Sequence, residues 1–189
     1  MNSATIRACG AAVALGGVVW GTAGLLAPPA EGEIRAVEVW SSGLFLLGAI
    51  ALVATVVGTR ATGDGWWGRG LVVAELVALG LAALSTTIGL VTRQYELSGA
   101  LLVLDMSWPL SMLGLIAVGV TVVAQRRWPA RTGWLALATG LWLPVGFVAP
   151  EVVTSLYLIV VPLLLGLSVA VDVAARDPRP APRVRPAPR

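Results

Sequence analysis

Six apolar runs, each close to the length that crosses a bilayer, constrain this chain more than any other feature. They cover residues 8–27, 36–59, 70–92, 97–125, 132–150 and 152–173, and charges, Pro or Gly bound each of them. A hydrocarbon core takes about 20 consecutive apolar residues in helical form. Backbone crossing that core must satisfy its N–H and C=O groups internally. The runs therefore predict an all-α fold, a polytopic transmembrane helical bundle of six spans over residues 1–173. Residues 174–189 follow as a disordered Pro/Arg-rich tail. Composition agrees, since 57% of the residues are hydrophobic and 12% charged, against roughly 25% charged in a soluble domain. The first run exceeds the ~7–15 apolar residues of a signal peptide, and Pro28 and Pro29 stand where a cleavage site would need small residues. It is expected to be retained.

The arginines give the orientation. With the N-terminus cytoplasmic, Arg7, Arg60, Arg69, Arg126, Arg127, Arg131 and the five arginines of the tail lie inside, and only Arg35 and Arg93 lie outside. Basic residues in short loops favour the cytoplasmic side, so both ends are expected there. Trp66, Trp67 and Trp128 fall beside the inner loops, and Trp40 and Tyr95 near the outer ends, as an aromatic belt requires. All 13 basic residues are Arg, a bias suited to a GC-rich genome and hence to a bacterial cytoplasmic (plasma) membrane. Net positive charge concentrated in the tail suits anionic lipid and gives no indication of nucleic-acid binding.

The absences narrow the chemistry. There is no His and a single Cys, Cys9. Imidazole-bound haem, histidine zinc sites, Ser-His nucleophiles and an internal disulfide or CxxC pair are thus unavailable to this chain. No metal site, cofactor or enzymatic activity is expected.

Two helix faces stand out. In the first run Gly10, Ala14, Gly17, Gly21 and Gly24 form one stripe of small residues, the kind that lets membrane helices approach closely. It packs either on a neighbour in the same bundle or on a second copy. In the third run Glu75, Ala78, Ala82, Thr86, Gly89 and Arg93 lie within about 60 degrees of one direction at 100 degrees per residue, so this face turns from lipid. Glu75 then either snorkels to the inner surface near Arg69 or Arg131, or serves as a proton or cation site.

In the fourth run Asp105 precedes Pro109, which has no N–H and leaves the Asp105 carbonyl without its helical partner. Trp108 continues the same face, and Glu38, Trp142 and Tyr157 are expected near that depth. An ionisable group within a span is a functional candidate by default, while Arg93 offers Asp105 or Glu38 an ion pair. The ligand or ion-pair candidates are accordingly Asp105, Arg93, Glu38, Glu75, Trp108, Trp142 and Tyr157. Short loops and the absence of a soluble domain point to a non-enzymatic binding, sensing or accessory bundle, whose partners are the bilayer, anionic lipid at the tail, and a membrane protein or a second copy. The alternative is a small transporter or channel using Asp105, Glu38 or Glu75 to handle a proton, a cation or an amphipathic ligand.

Overall fold

A computed structural model describes residues 1–26, 36–92 and 99–176. The regular structure among the described residues is all helical, with no strand. The helices are α1 (Ser3–Leu26), α2 (Ala36–Gly58), α3 (Trp66–Thr92), α4 (Ala100–Asp105), α5 (Ser107–Gln125), α6 (Ala130–Gly140), α7 (Trp142–Val148) and α8 (Glu151–Ser168), the last running on into a π-helical turn, Val169–Val173. Five helical segments are long and apolar enough to cross a membrane: α1, α2, α3, α4 with α5 (Ala100–Gln125), and α8 with its π turn (Glu151–Val173).

The run at 132–150 behaves differently. It forms two short helices, α6 and α7, meeting at Leu141, whose N–H bonds the Ala138 carbonyl at 2.9 Å. Pro144 supplies the cause, because it lacks the N–H that a continuous helix would direct at the Gly140 carbonyl. Pro109 acts in the same way between α4 and α5, where the helix breaks at Met106 and the Ser107 hydroxyl donates to the Leu104 carbonyl at 2.6 Å.

The helices close into a ring in the order α1, α2, α3, α5, α6, α8 and back to α1. Its interior is filled by fully buried Leu46, Val53, Leu79, Met112, Leu115 and Leu165. Close backbone approach holds the α1–α8 seam. A Cβ at Gly10 would lie 2.5 Å from the Gly166 carbonyl oxygen, and one at Gly17 would run into the Pro162 ring and lie 2.7 Å from the Leu158 oxygen. Pro162 has no N–H to offer that Leu158 carbonyl, and the Gly17 backbone covers it. Gly21 and Gly24 lie against Ser155, and Ala14 against Gly166. The small-residue stripe of α1 is thus occupied by α8 of the same chain.

At the end of the bundle where α2 finishes, called the Arg60 end below, polar contacts join the links. Asp64 accepts from Arg127 Nη2 at 2.7 Å and Arg60 Nη1 at 3.5 Å. Arg131 holds Asp172 through two bonds, from Nε at 2.7 Å and Nη2 at 2.5 Å. Ser168 donates to the same carboxylate at 2.7 Å and is 2.6 Å from buried Thr132. The π turn widens the helix at the position carrying Asp172.

Candidate functional site

At the opposite end, where α1 finishes and α2 and α8 begin, the fold encloses a cavity of about 150 Å³. Four elements contribute to it. Trp20 and Gly24 come from α1, Glu38 and Ser41 from α2, Trp142 from α7, and Glu151 and Ser155 from α8. Among the described residues, two carboxylates line the space and no basic side chain does. Gly24 keeps it open, since a Cβ there would lie 2.6 Å from the Ser155 hydroxyl. Glu38 falls in the first turn of α2, and the Ser41 hydroxyl bonds its backbone carbonyl at 3.0 Å, leaving the carboxylate out of that bond.

The inner wall is aromatic. Trp20 packs against Phe45, Trp108 and Trp142 at ring-centroid distances of 4.8, 5.3 and 4.7 Å, the two indole contacts being edge-to-face. Such contacts add about 0.5–1.5 kcal/mol each beyond area burial, so the cluster fixes the cavity wall. The indole N–H groups are engaged: Trp142 Nε1 donates to Met112 Sδ at 2.8 Å and Trp108 Nε1 to Thr86 Oγ1 at 3.2 Å. With its N–H so engaged, Trp142 lines the cavity beside Trp20.

The described candidates from the sequence separate into four places. Glu38 and Trp142 line the cavity, and Trp108 belongs to its aromatic wall. Tyr157 turns away toward α6, its hydroxyl donating to the Ala138 carbonyl at 2.6 Å. Asp105 joins α4 to α3 by accepting from Ser85 Oγ at 3.0 Å. Arg93, the partner considered for it, lies outside the described residues.

Glu75 stands apart, in the half of the bundle nearer the Arg60 end. It is 2% exposed, and its Oε1 has no hydrogen-bond partner among the described residues. The carboxylate occupies a notch left by Gly114 of α5, where a Cβ would overlap it. No ionisable residue occurs between Glu38 and Arg60 on α2, or between Asp105 and Arg126 along α5, so neither helix offers a counter-charge at that depth. Arg131, one of the two cations considered for Glu75, is instead bonded to Asp172.

Sequence reasoning did not single out Trp20, Glu151 or Ser155. A signal for Trp20 existed: it stands three residues after Gly17 and four before Gly24, so it shares the face that α1 turns to α8. Glu151 falls between the fifth and sixth apolar runs, and its position depends on the α7–α8 corner, which no local pattern specifies. Comparison with family models, with curated proteins and with solved structures gives no match.

Proposed function

We propose that this chain is a non-enzymatic binding bundle of the bacterial plasma membrane, with six spans and both ends cytoplasmic, and that its Glu38-end cavity takes the head group of an amphipathic organic cation. In this topology α6 and α7 together make the fifth crossing, and the cavity opens at the outer interface. The observation that carries the reading is the meeting of Glu38 and Glu151 with the rings of Trp20 and Trp142 around one space. Carboxylates attract a cation, and indole faces bind a methylated ammonium through cation–π contact worth ~0.5–2 kcal/mol. Size limits the ligand. Drug-sized ligands occupy roughly 300–1,000 Å³, so about 150 Å³ admits a small quaternary ammonium head and leaves any alkyl tail to run into lipid.

Titration of the purified chain with tetramethylammonium tests this, with tryptophan fluorescence as readout and 3,3-dimethylbutanol as a neutral probe of similar shape. A saturable change with the cation and none with the alcohol is expected. Equal responses to both would show that charge plays no part and would refute the reading.

Glu75 supports a second reading, a transporter that couples the cation to protons. A buried carboxyl whose Oε1 has no hydrogen-bond partner among the described residues is costly as an anion, and a proton removes that charge. In proteoliposomes an imposed pH gradient would then drive uptake of tetramethylammonium, and Glu75→Gln would abolish the uptake while leaving binding intact. Gradient-independent uptake, or none, removes this second reading alone.

A further inference from the structure

The Arg60 end holds a second, larger cavity, of about 270 Å³. Three arginines from three separate links surround it: Arg60 just after α2, Arg127 between α5 and α6, and Arg176 beyond the π turn. Its remaining wall is mainly apolar, with Ile6, Trp128 and Val173 among the lining residues. Trp128 is buried and donates its indole N–H to Thr59 Oγ1 at 2.9 Å, fixing the ring as part of the wall. Among the described residues the lining contains no carboxylate.

Charge around this cavity is not balanced. Asp64 bonds Arg127 and, more weakly, Arg60, which offsets one of the three positive charges. Asp172, the other described acid at this end, is bonded by Arg131 and Ser168 and also lies within electrostatic reach of Arg176. The Arg176 side chain makes no hydrogen bond among the described residues. Among the described residues, three guanidinium groups therefore line a space with a mainly apolar wall, and the Asp64 carboxylate bonds two of them. Arg60 is also placed where the backbone would favour glycine: it follows α2 at φ 53°, a left-handed conformation that costs a non-glycine residue roughly 1 kcal/mol.

We propose that this cavity binds the phosphate of an anionic lipid headgroup, with the guanidinium groups on the phosphate oxygens and the glycerol side against Ile6 and Val173. Guanidinium matches phosphate oxygens in paired, charge-assisted bonds. Basic pockets between helices at a membrane surface hold such headgroups. Of the Arg-rich tail this site uses only Arg176, so it does not depend on the residues that follow, nor on the cation cavity at the other end.

Native mass spectrometry of the full chain released from mixed phosphatidylglycerol and phosphatidylcholine micelles tests the proposal. The chain is expected to retain one phosphatidylglycerol in preference to phosphatidylcholine. A chain cut after Arg176 should retain it equally, and Arg60→Gln/Arg127→Gln/Arg176→Gln should lose at least tenfold in occupancy. If the triple variant does not fold, Arg176→Gln alone is expected to lower occupancy several-fold. Equal retention of the two lipids, unchanged retention in the arginine variants, or loss on removing the tail alone would each overturn the proposal. So would displacement of phosphatidylglycerol by millimolar inorganic phosphate, which would make free phosphate the ligand.

Discussion

Replacing Glu75 by Met isolates the energetic consequence of the least satisfied group in the bundle. Met has a similar length and no polar atom, so it removes the orphaned Oε1 without opening a void. Leaving a buried polar atom unbonded costs about 1–3 kcal/mol, which this change recovers. For a chain of this size 1 kcal/mol moves the melting midpoint by roughly 2–4 °C, so Glu75→Met is expected to raise it by about 2–12 °C. Thermal melts in a single detergent, followed by tryptophan fluorescence, provide the assay. Glu75→Gln keeps the shape and still buries unpaired polar atoms, and should melt close to the parent. A partner notch mutant supplies an independent check: Gly114→Ala puts a Cβ where the carboxylate sits and should cost about 1–3 kcal/mol, a penalty that disappears when Glu75 is shortened to Ala. A lower melting point for Glu75→Met would show that the carboxyl has a bonding partner and would refute the reasoning.

Other consequences concern the seam, the loops and the topology. Gly10→Ala should destabilise the bundle by about 1–3 kcal/mol, because the added methyl meets the Gly166 backbone, and a neutral melting point would contradict the described α1–α8 approach. The hydrogen bond from Arg127, helped by the charges of Arg60 and Arg69, holds the Asp64 carboxyl below the usual carboxylate range. Stability from this group is therefore present above pH ~4, the ordinary aspartate value, and is lost as pH falls through the lowered one. The melting difference between parent and Asp64→Asn should stay constant near neutrality and close in stronger acid; a difference that grows in acid would reverse the sign. Reporter fusions after Gly63, Gln94, Ala130 and Arg189 should read in, out, in and in, whereas an external C-terminal reporter would exclude six spans with both ends inside.

Much of the helical layout was legible because long apolar runs leave the backbone no alternative to helix in lipid. The bends at Pro109 and Pro144 follow from a missing N–H, which is a local property. The closing of the ring was not legible, since it depends on which helix faces meet. Glycine positions show where backbones can approach without naming the neighbour, and so Gly10 and Gly17 gave no indication of Gly166 and Pro162. The candidate cavity was half visible for the same reason. Glu38 and Trp142 stood out as a membrane acid and a deep indole, while Glu151 and Ser155 acquired a role only when the corner at Pro150 set α8 beside α1. Asp105 drew attention as an acid next to a proline, and its bond to Ser85 comes from the packing of α4 on α3.

The most direct test of the Glu38-end cavity as a cation site is a tetramethylammonium titration of the parent chain beside Glu38→Gln/Glu151→Gln and Trp142→Leu. Removing both carboxylates or the indole face should weaken binding at least tenfold, while the melting point of the Gln pair stays near that of the parent. Unchanged affinity in the folded Gln pair would contradict the assignment of the cavity as a cation site.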